Sequence, residues 1–355
     1  MFVYFDVLHI YYIPQYLPVI KKLTKKGHKC VLIFYKSQDA KLISVCNKFI
    51  ADNRLSAVWL NDTSQAFAFY QKSEVDWIIF GNAFPQSEKL NKKTALMQHG
   101  IGPKQCYYDV SNAGMTVRFV EGVHRKNRLQ SLYPNGTFID SGYAKLDPLF
   151  DYSVEKISLE KLGLDPNKRT LLYAPTFYPS SIECMSDHFA DDFADYNIII
   201  KPHFFTLTKP RYKKQRFKLA NWKKHTNVYI ADENQFDLTP FIAVADIMLS
   251  DASSAIFEFA ALDKPVIWCD FYKLRWSYRG IFSFRLKGRL DDDIHYFNEI
   301  CYPAKHYQDL ANMINQSSYE SDVFKENRAR LIKLLAGKMD GLSAERIANY
   351  LEENK

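Results

Sequence analysis

Four segments of the chain end an apolar run on side chains able to hold a phosphate or move a proton. The first is Ala95-Leu-Met-Gln98-His99-Gly100-Ile-Gly102-Pro103-Lys104. It sets an imidazole, a base near neutral pH, beside glycines that let backbone approach a ligand and a lysine able to grip an anion. The second, Leu171-Leu-Tyr173-Ala174-Pro175-Thr176, carries a threonine at its tip. In the third, Ile198-Ile-Ile-Lys201-Pro202-His203, the proline stops the run and stiffens the turn behind a lysine and ahead of a histidine. The fourth is the richest: Asp246-Ile-Met-Leu-Ser250-Asp251-Ala-Ser253-Ser254-Ala-Ile-Phe-Glu258, continuing to Asp263-Lys264-Pro265. Its run ends at Ser250 and Asp251, and Ser253 and Ser254 open a helix whose unsatisfied N–H groups and positive end attract phosphate oxygens. Glu258 lies one turn beyond Ser254, placed to accept from ribose hydroxyls. Each segment also has a plainer reading. Asp251 or Ser253 can cap a helix with Glu258 solvated, His99 can sit structurally beside a tight turn, and the other two can be strand-ending turns.

What the four share is position, since each polar group follows the end of an expected strand. Phe2–Leu8, Lys29–Tyr35, Val75–Gly81, Thr94–Gln98, Met115–Val120 and Thr137–Ser141 read as strands with helical stretches between them, among them Gln15–Lys26. After a polar stretch over 151–168 the pattern restarts with Thr170–Ala174, Asn197–Lys201, Asn227–Ile230, Asp246–Leu249 and Pro265–Cys269. Strand alternating with helix predicts parallel sheets covered on both faces. Two such series predict an α/β chain of two facing, doubly wound Rossmann-like domains, which hold ligands at the carboxyl ends of their strands. The expected division is an acceptor-side domain over 1–155, a nucleotide-donor domain over 156–340 and a terminal helix over 341–355, the last packing back on the first domain. Ala344, Ile347, Ala348 and Leu351 form its apolar face.

Composition narrows the class. The chain has 355 residues, enough for two cores, with 47 basic against 40 acidic side chains. The surplus is local: the first 150 residues hold 19 basic and 11 acidic residues, and Lys209–Lys224 holds eight basic and none acidic. In that stretch Lys209, Arg211, Lys213, Lys214, Arg216 and Lys218 alternate with Tyr212, Phe217 and Trp222, a pattern suited to a polyanionic acceptor or an anionic bilayer. A solvated helix face is the plainer reading. Nucleic acid is disfavoured because no recognition motif accompanies the patch. No apolar run reaches the ~18 residues a bilayer span requires. The N-terminus reads as a first strand and not as a signal peptide. Six scattered cysteines without a CxxC pair point to free thiols in a reducing compartment, hence the cytoplasm, and to no zinc site. Asp291-Asp292-Asp293 reads as a solvated turn in place of a metal site, and no cofactor is expected. Neither GxSxG nor a P-loop occurs, which argues against a serine hydrolase or an ATPase of that type.

Taken in order, the motifs resemble those of the CDP-glycerol glycerophosphotransferase family, the polymerases and primases of teichoic-acid-type polymers. They run from His99-Gly100-Ile-Gly-Pro-Lys104 through Ala174-Pro175-Thr176, Lys201-Pro202-His203, Ser250-Asp251-Ala-Ser253-Ser254 with Phe257-Glu258, and Lys264-Pro265 to Asp340-Gly341. The resemblance implies the two-domain GT-B fold of nucleotide-sugar glycosyltransferases. It implies His99 and His203 as the essential histidines, and Ser253, Ser254 and their helix as the phosphate site. Lys104, Thr176, Lys201, Ser250, Asp251 and Glu258 then complete the donor-binding set. The implied reaction moves a polyol phosphate from a CDP-linked donor to a hydroxyl of a glycan, capsule or teichoic-acid-like acceptor, lipid-linked where that acceptor sits at the inner face of the membrane. His99 is read as the base, although the two histidines can exchange roles. The chain departs from the family's usual pattern at Gln98, Ala252 and Glu258, and lacks the membrane-targeting extension of some members. An inverting glycosyltransferase using a nucleotide sugar therefore remains the competing enzyme reading, and a catalytically idle membrane-docked protein the non-enzyme one.

Overall fold

A computed structural model describes residues 1–36, 39–102, 104–109, 114–275, 278, 291–318 and 322–355. Pro103 of the first motif lies outside them. The chain forms two compact units. One comprises Met1–Ile101, Cys106–Ser153 and Lys333–Lys355; the other comprises Gly102–Gln105 and Val154–Ile332. The first unit thus regains the chain at Lys333, ahead of the expected 341, and the short Gly102–Gln105 segment belongs with the second.

The first unit is built on seven parallel strands: β1 Phe2–Asp6, β2 Lys29–Tyr35, β3 Ala57–Leu60, β4 Trp77–Phe80, β5 Lys93–Met97, β6 Val117–Val120 and β7 Phe138–Asp140, in the order β3-β2-β1-β4-β5-β6-β7. The second holds six, β8 Thr170–Ala174, β9 Asn197–Ile200, β10 Val228–Ile230, β11 Ile247–Ser250, β12 Val266–Cys269 and β13 Tyr302–Ala304, ordered β10-β9-β8-β11-β12-β13. Every pairing is parallel. Sheets of this kind are covered on both faces, which explains the unbroken apolar runs: each residue of Trp77-Ile-Ile-Phe80 and of Leu171-Leu-Tyr-Ala174 is buried. The winding reverses between β1 and β4 in one sheet and between β8 and β11 in the other, so each unit has one switch point where the loops beyond adjacent strands diverge.

Two strands escape sequence reading, and both lie at sheet edges. β3 is mostly half-buried and so lacks a dense apolar run, while β13 has Pro303 at its centre. An edge strand tolerates a proline because its N–H need not join a ladder.

The terminal helix Ser343–Glu353 is fixed within the first unit at both ends. Asp147 accepts from the backbone N–H groups of Ser343 and Ala344 at 3.1 and 2.6 Å, satisfying two donors that a helix start leaves open. Near its far end, the buried Trp77 indole donates to the Leu351 carbonyl at 3.0 Å. Among the described residues no helix is long and apolar enough to cross a membrane, and no cluster of His, Cys, Asp and Glu is arranged to hold a metal ion.

Candidate functional site

In the first unit, β5 delivers His99 two residues beyond its end. The histidine Nδ1 lies 3.1 Å from the Gly81 carbonyl, which can only accept, so Nδ1 carries the proton and Nε2 keeps its lone pair. Tyr143 donates to the His99 carbonyl at 2.8 Å, fixing the backbone as well as the ring. Three tyrosines pack around the imidazole, with centroid distances of 4.9 Å to Tyr12, 5.0 Å to Tyr11 and 5.7 Å to Tyr107. Gly81 is required for this arrangement. A Cβ there would come within 2.5 Å of the Tyr12 ring.

Behind the tyrosines, at the end of β1, Asp6 is buried and accepts from the hydroxyls of Tyr35 and Tyr70. Burial pushes its carboxyl up to about 6 even though both phenols pull the other way. Sequence reasoning missed this tyrosine and aspartate shell. The available signal was the adjacent pair Tyr11-Tyr12 in the first βα loop, the loop that flanks the switch point.

In the second unit, β9 delivers Lys201, Pro202 and His203. Here the polarity is reversed, because the Phe205 backbone N–H donates to His203 Nδ1 at 3.1 Å. The imidazole caps the short helix Phe204–Thr208 through Nδ1, leaving the neutral ring's proton on Nε2 as a donor. Phe177 and Phe205 pack against it at 4.6 and 5.1 Å. Lys201 is half-buried, and its backbone N–H completes the ladder to Tyr173.

The Ser250–Glu258 segment divides into a positioning part and a presenting part. Ser250 is fully buried and donates to the Ala174 carbonyl at 2.7 Å. Asp251 is buried too, and accepts from the backbone N–H groups of Thr176 at 2.8 Å and Ser181 at 3.1 Å. Thr176 in turn donates its hydroxyl to the Pro179 carbonyl at 2.5 Å, beside the cis Tyr178–Pro179 peptide. In this geometry Ser250, Asp251 and Thr176, all expected among the donor-binding groups, hold the loop beyond β8 to the end of β11. Burial pushes the Asp251 carboxyl up to about 6 against those hydrogen bonds. Ser253 and Ser254, by contrast, are half-buried and sit ahead of a helix that spans only Ala255–Ala260. The expected run to Asp263 is shorter because the chain turns there with Asp263 at φ 56°. Glu258 is buried on that helix, which corrects the solvated alternative.

Two further residues reach this region. Gly102, at φ 105°, packs so closely on the Phe257 ring that a Cβ would approach it to 2.7 Å, with the Ser254 backbone next to it, and Lys104 of the same segment is half-buried. Arg275 stacks on Tyr178 at 4.0 Å and receives no sequence signal beyond its charge. Lys264 is structural, since its ammonium donates to the carbonyls of Ile242, Ala243 and Ala245 at the end of the helix Thr239–Val244. Asp291-Asp292-Asp293 is no solvated turn. Asp291 and Asp293 are buried, and Asp291 accepts from the Asp293 N–H at the start of a short helix.

The basic stretch folds as the helix Lys213–Trp222 preceded by a turn. Tyr212 and Trp222 are core residues, Arg216 donates to the Thr206 and Lys209 carbonyls at 2.9 and 2.8 Å, and Lys218 donates to the Met185 carbonyl and pairs with Asp187 at 3.3 Å. Arg216 and Lys218 are thereby engaged within the unit. Lys209, Arg211, Lys213 and Lys214 stay exposed, and Phe217 between them is 69% exposed.

Against this geometry, a family model described as CDP-glycerol:poly(glycerophosphate) glycerophosphotransferase matches residues 56–353. The teichoic acid glycerol-phosphate primase of Bacillus subtilis (strain 168) is 24% identical over 216 residues, 59% of this chain and 50% of the relative. The teichoic acid poly(glycerol phosphate) polymerase of Bacillus spizizenii is 26% identical over 149 residues, 37% of this chain and 34% of that protein. The chain thus spans half or less of the length of the curated relatives it matches. Among solved structures, the wall teichoic acid polymerase TagF superposes with a TM-score of 0.69 at 14% identity, covering 100% of this chain and 88% of the other. The UDP-GlcNAc 2-epimerase of Neisseria meningitidis gives 0.61 at 13% identity, with 99% and 100% covered. At such identities these likenesses establish the GT-B fold.

Proposed function

The chain belongs to the CDP-glycerol:poly(glycerophosphate) glycerophosphotransferase family, and from that premise we propose that it transfers glycerol phosphate, or a related polyol phosphate, from a CDP-linked donor to a hydroxyl of a teichoic-acid-like or other surface-glycan acceptor. The observation that carries this reading is the opposite hydrogen-bond polarity of two histidines, each following the end of a parallel strand. His99 Nε2, with its lone pair free of the proton, takes the proton of the acceptor hydroxyl. The resulting oxygen attacks the donor's β-phosphorus, the bond from that phosphorus to the bridging oxygen breaks, and CMP departs. His203 Nε2–H donates to a phosphoryl oxygen as negative charge builds there. Ser253, Ser254, Lys104 and Lys201 hold the diphosphate, and Glu258 accepts from the ribose. Ser250, Asp251 and Thr176 act one step back, by fixing the turn that carries the serines.

The exposed residues Lys209, Arg211, Lys213, Lys214 and Phe217 form a surface for an anionic bilayer, and they support a peripheral position on the cytoplasmic face of the membrane, where a lipid-linked acceptor would be met. Basic side chains near such a surface contribute about 1 kcal/mol each.

Purified protein incubated with CDP-glycerol and an acceptor ending in glycerol phosphate should release CMP in step with acceptor extension. A thermal-shift panel of CDP-glycerol, CDP-ribitol, CMP-sugars, UDP-sugars and GDP-sugars separates the readings, because the true donor stabilises the fold by mass action. Stabilisation by a UDP- or GDP-sugar alone, without CMP release from CDP-glycerol, would establish the glycosyltransferase reading instead.

A further inference from the structure

Between Asp6 and Tyr12 the first unit keeps a small cavity of about 20 Å³, lined also by Asn82 and by the apolar side chains of Phe80 and Phe84. It lies at the carboxyl ends of β1 and β4, the switch point of that sheet, where an open α/β sheet holds its ligand. Tyr12 is 1% exposed, and among the described residues its hydroxyl makes no hydrogen bond of normal geometry, the Asn82 side chain being only a weaker polar neighbour. A buried polar group left in that condition is rare and needs a reason. The cavity is large enough for one hydroxyl or water and too small for a ring or a phosphate.

Its chemistry is two-sided. The Asp6 carboxyl is held in place by the Tyr35 and Tyr70 hydroxyls and presents an acceptor, whereas the Tyr12 phenol presents a donor. A hydroxyl group, which both donates and accepts, matches that pair. The cavity is also tied to the catalytic histidine by contact. The Tyr12 ring stacks on His99 at 4.9 Å, Gly81 is pressed against the Tyr12 ring and supplies the carbonyl that orients His99, and Asn82 is the next residue.

We propose that this cavity is the subsite for a hydroxyl of the acceptor's terminal polyol, the one adjacent to the attacking hydroxyl, which donates to Asp6 and accepts from Tyr12. The inference rests on the glycerophosphotransferase reading above, and it names what the first unit recognises. By seating the neighbouring hydroxyl, the cavity sets the attacking oxygen against His99 and selects acceptors that carry two hydroxyls on adjacent or nearly adjacent carbons.

The test compares wild type with Tyr12→Phe on three acceptors, one ending in glycerol phosphate and its propane-1,2-diol and propane-1,3-diol analogues. Phenylalanine keeps the ring that stacks on His99 and removes only the hydroxyl. Because that hydroxyl makes no hydrogen bond of normal geometry without substrate, Tm should stay level or rise, which separates a binding effect from misfolding. Wild type should lose roughly a hundredfold in kcat/KM for whichever analogue still reacts, as expected when the hydrogen bonds to both Asp6 and Tyr12 are withheld. Tyr12→Phe should lose roughly tenfold on the glycerol acceptor, for one of the two hydrogen bonds, and should match wild type on that analogue, with CDP-glycerol binding unchanged. Equal kcat/KM for wild type and Tyr12→Phe on the glycerol acceptor, with wild type active, would overturn the subsite and leave the function standing. Absence of transfer by wild type on every acceptor would overturn the function and the subsite together.

Discussion

The two units share a sheet order and place like residues at like points, yet they hold them by opposite means. Asp6 ends β1 and Asp251 follows β11, each beside its switch point and each pushed up to about 6 by burial. Asp6 is gripped by two phenol hydroxyls, which can rotate, together with the Leu8 backbone N–H, whereas two backbone N–H groups, which cannot rotate, hold Asp251 beside hydroxyls. The histidines differ in the same sense. His99 donates through Nδ1 to a carbonyl, and His203 accepts through Nδ1 from an amide. A rotatable shell of tyrosines suits the recognition of an acceptor hydroxyl, and a backbone-locked turn suits the repeated presentation of two serines to a diphosphate. The same architecture thus yields one histidine that donates through Nδ1 and one that accepts through it.

The largest effects should follow from removing either Nε2 atom. Asparagine preserves the local contact in both places, since its amide can donate to the Gly81 carbonyl or accept from the Phe205 N–H. His99→Asn should therefore fold normally and lose about 10²- to 10⁴-fold in kcat, and His203→Asn about 10²- to 10³-fold, measured as CMP release with donor binding checked by thermal shift. Loss from only one of the two would break the proposed division of labour.

Next in size is the contrast between the carboxyls. Asp251→Asn turns an amide N–H toward backbone N–H groups that cannot reorient, and should cost roughly 2–4 kcal/mol in chemical unfolding. Asp6→Asn meets hydroxyls that can turn to accept, and should cost about 1 kcal/mol or less near neutral pH. Both carboxyls rise on folding from 3.8 to about 6. Between pH 4 and 6 the folded chain therefore binds more protons at these sites than the unfolded chain. Their contribution to stability is present below pH 4 and is lost as pH rises to 6, by roughly 3 kcal/mol per group. Unfolding at pH 4, 5, 6 and 7 should show wild type losing ground against Asp6→Asn across that window, and a constant difference would contradict the upward shift at Asp6.

Much of this architecture can be read from sequence because parallel strands buried on both faces leave unbroken apolar runs, and polar groups after such runs fall at the ligand edge. His99, His203, Ser253 and Ser254 are singled out that way, and each follows the end of a strand in the structure. Contacts between residues distant in sequence are not. Nothing in Ser250-Asp251 announces that its carboxylate will hold Thr176 and Ser181, some seventy positions earlier. Gly81 looks like any glycine after a strand until the Tyr12 ring is placed against it. The basic stretch makes a related point: charge alone does not reveal that Arg216 and Lys218 are engaged with backbone carbonyls while four neighbours remain exposed.

The smallest effect concerns that surface. Neutralising Lys213 and Lys214 with Phe217→Ala should weaken sedimentation with anionic vesicles by about 2–3 kcal/mol and leave binding to neutral vesicles unaltered. The corresponding change at Arg216 should lower thermal stability instead, since its guanidinium holds the Thr206 and Lys209 carbonyls.

The polarity of the two histidines is open to direct observation by ¹⁵N NMR of histidine-labelled protein above their titration range, with resonances assigned from the two asparagine variants. His99 should carry its proton on Nδ1 and His203 on Nε2. The same tautomer at both positions, or the reverse pairing, would contradict that assignment.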